Sequence, residues 1–315
     1  MLLIAAGLFA AFTGYNDAGA LVGIGLRNRG IRPVVGLLVL VATVVAAPLV
    51  VGVAVATTLD ERLVSFDDGR QWPLLVGILT AVLVTGVLAF RRLPTSLTLA
   101  LIGGISGAGL GTRATVDWTV VGLVLLAAAA APFAGAFVAL LVCRLLAVLP
   151  APEGAGRRLR WLHVGAYTAT CVAYGANDGQ KMIAVYAALY GGGVAAHATS
   201  PAALALIAGC FLLGAVFGLQ RLAASIGGGL AASRTDSVVV TEATGAGVVL
   251  GTALLGAPVS MTQSLSGAMV GTGLARKSRR VRWRSVLRLG TAWLLTLPTA
   301  MVVAAAAGAA LSVRW

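Results

Sequence analysis

Two Asn-Asp pairs are the clearest candidates for chemistry, because each places a carboxylate inside a long apolar run. The pairs are Asn16-Asp17 and Asn177-Asp178. A charged side chain inside a membrane span costs about 2.5–3.5 kcal/mol on insertion scales, so such residues mark ion or substrate pathways. Glycine flanks both pairs and disfavours helix. We therefore expect a broken helix at each pair, whose free backbone groups bind anions or cations. The alternative is that each aspartate caps a helix or pairs with a basic residue.

Two further charged residues, Lys181 and Glu242, fall inside apolar runs. Lys181 follows Asp178 by three positions, which places both side chains on one face of a continuing helix. It is therefore expected to pair with Asp178, to contact an anionic substrate, or to do both. Glu242 is either a further ligand or a structural ion-pair partner. The two histidines, His163 and His197, lie at the edges of apolar runs, and we expect no role for them.

Hydroxyl side chains recur at the start of two apolar runs, in PTSLT at residues 94–98 and PVSMT at residues 258–262. Serine and threonine near a helix start usually cap it, but beside the Asn-Asp pairs they also suit an oxyanion or a cation. Asp17 and Asp178 are the candidate cation ligands, but their residue types do not identify a particular metal. The full set of candidate binding residues is Asn16, Asp17, Asn177, Asp178, Lys181, Thr95, Ser96, Thr98, Ser260, Thr262, Gln263 and Glu242.

These motifs belong to an internal repeat. Residues 94–110 align without gaps on residues 258–274, and the two Asn-Asp pairs show nearly the same offset, about 160 residues. The sequence therefore predicts two halves, residues 1–150 and 151–315, with five membrane segments each. An odd number of segments makes the second half enter the membrane from the opposite side, which is the inverted-topology repeat of secondary transporters. The GxxxG spacings within the repeat predict close helix packing rather than a binding loop.

Composition restricts the class of protein. Hydrophobic residues make up 59% of the 315 residues, charged residues 10%, and the mean hydropathy is +0.97. Soluble domains carry about 25% charged residues, so a soluble enzyme, a secreted scaffold and a disordered protein are excluded. The net charge of +13 comes from short basic clusters between apolar runs, which argues against nucleic-acid binding. The three cysteines show no CxxC spacing, and the apolar N-terminus has no basic region or cleavage site of a signal peptide.

The fold class predicted is an all-α polytopic membrane protein with about ten segments, since only helices with internally satisfied backbone suit such apolar runs. The segments cover residues 1–24, 34–59, 72–90, 93–111, 118–148, 162–190, 201–220, 237–256, 258–275 and 285–312. The intervening loops alternate in charge. The odd-numbered loops contain Arg27, Arg29 and Arg32; Arg91 and Arg92; Arg144, Arg157, Arg158 and Arg160; Arg221 and Arg234; and Arg276, Lys277, Arg279, Arg280, Arg282, Arg284 and Arg288.

No even-numbered loop is basic, and the second is acidic, with Asp60, Glu61, Asp67 and Asp68. By the positive-inside rule the odd loops are cytoplasmic, so ten crossings of the cytoplasmic membrane place both termini outside. Residues 93–111 and 258–275 could instead form re-entrant hairpins.

At these residues the chain resembles the inorganic phosphate transporter (PiT) family, in its bacterial low-affinity form. That family carries a GxND motif in each half and a P-[TV]-S-x-[ST]-H motif, which GANDGQK at 175–181, PTSLT and PVSMT resemble, and AWLLTLP at 292–298 fits its last span. The resemblance covers nearly the whole chain. It implies symport of inorganic phosphate, as the free anion or as a neutral metal–phosphate complex with a co-transported divalent metal. A homodimer is a reasonable expectation from the same resemblance.

The chain departs from the family pattern at the coupling site. Leu99 and Gln263 replace the motif histidine, and neither GxND copy is followed by the second asparagine that family members often carry. That loss removes a neutral oxygen ligand of the kind hard cations prefer, so we expect H+ rather than Na+ as the coupling ion and no bound cofactor. The alternatives are a sodium-coupled phosphate symporter and a permease for sulfate or another tetrahedral oxyanion. No nucleophile–base pair supports an enzyme.

Overall fold

The computed structural model describes residues 2–26, 31–65, 71–90, 95–148, 155–223, 235–276 and 281–312. Nearly all of these residues are helical. The helices in the first half are α1 (Leu2–Thr13), α2 (Gly19–Leu26), α3 (Pro33–Val51), α4 (Ala54–Thr57), α5 (Trp72–Phe90), α6 (Leu97–Gly111) and α7 (Trp118–Val148). Those in the second half are α8 (Ala155–Tyr174), α9 (Gln180–Tyr190), α10 (Val194–Ala198), α11 (Pro201–Ala223), α12 (Thr235–Leu254), α13 (Met261–Arg276) and α14 (Trp283–Ser312).

Within the described ranges, six helices are long and apolar enough to cross a membrane. They are α3, α5, α7, α11, α12 and α14. The other four predicted segments also coincide with helices, namely α1 with α2, α6, α8 with α9, and α13. The all-α membrane fold is therefore confirmed, while ten crossings remain a prediction. Several residues of the charge alternation lie outside the described residues: Arg27, Arg29, Asp67, Asp68, Arg91, Arg92, Arg234, Lys277, Arg279 and Arg280.

The distribution of side chains is the reverse of that in a soluble protein. Large apolar side chains such as Val50, Phe90 and Leu255 are more than four-fifths exposed. The interior instead contains charged residues, among them Asp178 and Glu242. Apolar surface on this scale suits a lipid environment, and ionisable groups inside a helical bundle face protein rather than lipid.

The predicted break at each Asn-Asp pair is corrected by the structure. Gly14–Ala18 and Gly175–Gly179 are π-helical turns, here named π1 and π3. The residues that flank them, Gly19 and Gln180, keep right-handed helical dihedrals, so the helix continues through both turns. A π turn leaves the regular α-helical hydrogen bonds without ending the helix, and such turns are frequent at functional sites. No half-helix N-terminus forms at either pair.

A break does occur in a segment that was predicted to be continuous. The run from 34 to 59 is interrupted after α3, where Gly52 has φ of +98°, a conformation that suits glycine and not L side chains. The short helix α4 and a third π-helical turn, Thr58–Arg62 (π2), follow it. Two-residue strands, β1 (Val64–Ser65) and β2 (Thr115–Val116), then pair antiparallel, with Val64 opposite Val116.

The GxxxG motifs pack helices closely, as predicted, and they join the two halves. A Cβ at Gly107 in α6 would overlap the carbonyl oxygen of Met301 in α14. A Cβ at Gly271 in α13 would likewise overlap the carbonyl oxygen of Ala136 in α7. Small residues permit this backbone approach. Each half thus contributes one glycine-rich helix that packs against the last helix of the other half.

The two π turns pack in an equally reciprocal way. A Cβ at Gly14 in π1 would overlap the backbone of Phe211 in α11, and a Cβ at Gly175 in π3 would overlap the backbone of Thr43 in α3. The turn of each half therefore lies against a long helix of the other half. This arrangement places both Asn-Asp pairs in the interior, where Asp17 is 7% and Asp178 is 5% exposed.

Candidate functional site

The second Asn-Asp pair is built around the Lys181 ammonium group. Its Nζ donates to Asp178 Oδ1 at 2.8 Å, to Thr98 Oγ1 at 2.7 Å and to the carbonyl oxygen of Val259 at 2.6 Å. An ammonium group has three hydrogens, so these contacts use all of them. Lys181 is 3% exposed. The ion pair expected from the three-residue spacing is present, and it joins α9 to the starts of α6 and α13.

Asn177 holds the segment that precedes α13. Its side-chain amide donates to the carbonyl oxygen of Val259 at 2.6 Å and to Asp178 Oδ2 at 3.0 Å. Its Oδ1 accepts from the backbone N–H of Val259 at 3.3 Å. The Asn177 amide therefore satisfies both the carbonyl oxygen and the N–H group of Val259, which have no helical partner here. The PVSMT motif is fixed beside Asp178 by these bonds.

The first Asn-Asp pair has a different environment. Asp17 accepts from the side-chain amide of Asn16 at 2.8 Å and from the hydroxyl of Tyr174 at 3.2 Å. No lysine or arginine among the described residues lies within ion-pair distance of Asp17, although Asp178 and Lys181 are close enough to interact with it electrostatically. Two carboxylates thus share the region with one ammonium group. With all three groups ionised, the site carries one negative charge in excess.

The hydroxyl-rich segments meet this site with different degrees of hydrogen bonding. Ser96 caps α6, since its Oγ accepts from the backbone N–H of Leu99 at 3.3 Å, as the capping alternative predicted. Ser260 and Thr262 are hydrogen-bonded to each other at 2.9 Å. Thr95 Oγ1 and Gln263 Oε1 are buried and have no hydrogen-bond partner among the described residues. Buried polar atoms normally have a partner, so these two are available to a ligand.

Two residues near the site were missed by the sequence reasoning. Tyr174, which precedes π3, links that turn to Asp17. Gln180 follows π3, and its Oε1 accepts from the first backbone N–H groups of α4, those of Val55 at 2.8 Å and Ala56 at 3.2 Å. A side chain from the second half therefore caps the helix that follows the break at Gly52. The position of Gln180 two residues after Asp178 was the only available signal.

Glu242 makes no described hydrogen bond or ion pair with either aspartate. Its Oε2 is 2.9 Å from Nδ1 of His163, and its backbone oxygen accepts from the hydroxyl of Thr170. His163, for which no role was expected, is fully buried. The edge of an apolar run gave no sign of this burial, because α8 begins eight residues before His163 and continues into the bundle.

The structure joins part of the predicted site through direct contacts. Contacts connect Asn16 to Asp17, and Asn177, Asp178, Lys181 and Thr98 to one another. Within the described residues, no group of three histidine, cysteine, aspartate or glutamate side chains is placed to hold a metal ion. The chemistry that this cluster can perform is binding and charge compensation, since its contacts are an ion pair, amides and hydroxyls.

Comparisons with known proteins agree with this description. The family model described as the phosphate transporter family matches residues 13–155 and 150–304. The chain is 28% identical, over 97% of its length and 76% of the relative, to a probable low-affinity inorganic phosphate transporter of Mycobacterium leprae (strain TN). It is 29% identical to a protein of the same description from Rhizobium meliloti (strain 1021), over 96% of this chain and 93% of that one. A solved structure, described as the sodium-dependent phosphate transporter, has the same fold, with a TM-score of 0.83, 18% identity and full coverage of both chains.

Proposed function

The chain belongs to the phosphate transporter family, and from this premise we propose that it is a proton-driven symporter of inorganic phosphate in the cytoplasmic membrane. It is a transporter and not an enzyme. The observation that carries the proposal is the excess negative charge at the Asn-Asp pairs. Asp178 is neutralised by Lys181 at 2.8 Å, whereas Asp17 has only an amide and a hydroxyl as partners.

Excess negative charge in a buried site opposes the entry of an anion. At an effective dielectric constant of about 20, two like charges 4 Å apart repel by about 4 kcal/mol. A cation that binds Asp17, or a proton that neutralises it, removes this repulsion and lets phosphate approach Lys181. Binding of the coupling ion and of phosphate then favour each other, which is the thermodynamic requirement for symport.

The oxygen atoms near the second pair favour a proton over sodium. Hard cations need several oxygen ligands at once. In this conformation Asn177 Oδ1 accepts from Val259 and Gln180 Oε1 accepts from α4. The amide oxygens of Asn177 and Gln180 are therefore engaged, which leaves Thr95 and Gln263 with free side-chain oxygens. Protonation of a single carboxylate needs no set of several ligands.

The same carboxylates favour phosphate over sulfate. Phosphate near neutral pH still carries a proton, which it can donate to a buried carboxylate, while sulfate is fully ionised and has none. A site whose polar groups hydrogen-bond a substrate discriminates against an analogue that cannot form those bonds, because the buried groups are then left unpaired. The unpartnered oxygens of Thr95 and Gln263 are further acceptors for a protonated phosphate oxygen.

The reciprocal packing supports alternating access between inverted repeats. The π turn of each half lies against a long helix of the other, and each glycine-rich helix packs on the opposite half. We propose that residues 1–150 and 151–315 are the two repeats and that both termini lie outside. Rocking of one repeat against the other would then expose the site to each side in turn.

Uptake of radiolabelled phosphate into proteoliposomes tests this proposal, with proton, sodium and magnesium gradients imposed one at a time. We expect accumulation when the outside is acidic and none with sodium alone. Liposomes that contain the Asp17→Asn variant are the matched control. Accumulation driven by sodium alone would establish the sodium-coupled alternative, and a requirement for magnesium would establish a metal–phosphate complex as the substrate. Inhibition by sulfate as strong as by unlabelled phosphate would indicate a general oxyanion permease.

A further inference from the structure

His163 is held by acceptors on two different helices. Its Nδ1 is 2.9 Å from Oε2 of Glu242 in α12, and its Nε2 is 2.9 Å from the carbonyl oxygen of Gly25 near the end of α2. The imidazole and the carboxylate are both buried. One ring from the second half of the chain thus joins helices of both halves.

Both contacts exist together only while the pair of His163 and Glu242 carries one proton more than the single N–H of a neutral imidazole. A neutral imidazole has one N–H and one acceptor nitrogen, so facing two acceptor oxygens it can make only one of these bonds. A proton on either the imidazole or the carboxylate restores the second bond. Glu242 Oε1 has no partner among the described residues. No other donor of the described part of the chain therefore takes the place of His163 at this carboxylate.

The other titratable groups around the pair do not replace that proton. Tyr167 and Cys171 of α8 lie close enough to interact with Glu242, and a phenol and a thiol are neutral near neutral pH. On α12, Asp236 pairs with Arg276 instead. No residue with an ionisable side chain occurs in α2 or α3.

The pair lies toward one end of the two helices that carry the site. Gly25 lies in α2, which follows π1, and His163 lies in α8, which precedes π3. The pair is therefore nearer than the aspartates to Arg157 and Arg158 at the start of α8, and in the sequence Gly25 is followed by the basic residues 27 and 29. Packing at this end is tight, because a Cβ at Gly25 would lie 2.6 Å from the ring of Tyr167.

A small cavity lies toward the opposite end, beyond Asp178. Its volume is about 10 Å³, close to the space of one water molecule, and its lining includes Asp60 of π2, Ile105 of α6 and Ala184 of α9. The two ends of the path therefore differ, with His163 and Tyr167 closely packed at one end and this small cavity beside Asp60 at the other.

We infer that His163 is a positioning residue that closes the basic, cytoplasmic end of the path by holding α2 against α12 across α8. Opening to that side requires the bond between His163 and Gly25 to break. This inference rests on the proposed function and topology. His163 touches neither aspartate in any described contact, so it acts on access to the site and not on phosphate binding.

Cys171 provides a native reporter, since it is buried on α8 about two helical turns after His163 and lies close enough to Glu242 to interact with it. In a background with Cys143→Ser and Cys210→Ser, we would measure the rate at which N-ethylmaleimide labels Cys171. The His163→Gln variant should label about tenfold faster, the size expected for loss of one hydrogen bond to a charged group. His197→Gln, which alters a histidine outside this contact, should label at the parent rate.

Transport provides the second measurement. His163→Gln should lower the maximal rate of phosphate uptake by about tenfold and leave KM for phosphate unchanged. Should this variant fail to fold, Glu242→Met removes the contact of His163 with α12 and should also label faster than the parent. Unchanged labelling in the folded variants, or equally fast labelling in His197→Gln, would overturn the inference. Labelling is measured without phosphate, so a parent protein that moved no phosphate would contradict the proposed function alone.

Discussion

The hydroxyl of Tyr174 donates a 3.2 Å hydrogen bond to Oδ2 of Asp17, although the two residues are 157 positions apart. This bond joins π1 to the last residue of α8, immediately before π3. It also shows that the two aspartates are equivalent in the repeat but not in their partners, because Asp178 faces an ammonium group and Asp17 faces a phenol. Substitution of each should therefore have different consequences.

Asp17→Asn should reduce proton-driven phosphate accumulation to the level of empty liposomes while the protein stays folded. Asparagine retains the shape of the side chain, and no buried cation loses its partner, so only the charge is removed. Uptake assays and thermal unfolding of the purified variant check both parts. Normal accumulation at normal protein levels would contradict a role for Asp17 in coupling.

Asp178→Asn should be less stable as well as inactive. It leaves the Lys181 ammonium buried without its carboxylate, and breaking a buried pair by removing one partner costs about 3–5 kcal/mol. The double variant Asp178→Asn with Lys181→Met should recover most of the lost stability and no transport. Equal unfolding temperatures for the single and double variants would show that the ion pair contributes nothing to the fold.

Gly107→Ala should destabilise the protein, because its Cβ would overlap the carbonyl oxygen of Met301. Overpacking of this kind costs about 1–3 kcal/mol. Gly251→Ala is the matched control, since a Cβ there meets no atom within 4 Å. The control should unfold at the parent temperature or slightly above it, given the better helix propensity of alanine. Similar unfolding temperatures for both variants would argue against close packing of α6 on α14.

The proposed orientation predicts which exposed residues an impermeant thiol reagent reaches in intact cells. In a cysteine-free background, Glu61→Cys should react from outside, because it lies in an acidic loop. Arg282→Cys should react only after the membrane is opened, since basic loops stay inside. The reversed pattern would invert the topology, and labelling of both from outside would require a different number of crossings.

Asp60, just beyond the predicted second segment, should make stability depend on pH. Burial and the neighbouring Glu61 carboxylate raise the pKa of Asp60 from 3.8 to about 6, against the opposing effect of His197. A raised pKa means that the folded protein binds the proton more tightly, so this stabilisation is present below pH 3.8 and is lost as the pH rises through about 6.

Asp60→Asn should therefore unfold at a higher temperature than the parent at pH 7.5. Its free energy of unfolding should be larger by about 1 kcal/mol after allowance for partial solvent access. The advantage should shrink as the pH is lowered toward the ordinary pKa of aspartate, where both side chains are neutral. A difference that does not change with pH would contradict this assignment.

Local patterns predicted much of this molecule. Apolar runs located the helices, GxxxG spacing predicted the contacts of α6 and α13, and the three-residue spacing predicted the pair of Asp178 with Lys181. These features depend on helical periodicity or on residue size, both of which can be read from neighbouring positions.

The features that were missed depend on tertiary contacts. Glycine beside an Asn-Asp pair is compatible with a break or with a π turn, and packing against α3 and α11 decides between them. The partners of His163 and Gln180 lie on helices distant in sequence, so their burial could not be seen from position alone. Likewise, Gly52 resembled any other glycine in an apolar run until its φ of +98° was known.

The glycine contact between α6 and α14 has a consequence for biosynthesis. A ribosome completes Gly107 long before it reaches Met301 in α14. The small-residue face of α6 is therefore without its packing partner, α14, while the second half of the chain is being made. Any truncation that ends before α14 leaves that face uncovered, so α6 reaches its final packing only after α14 has been made.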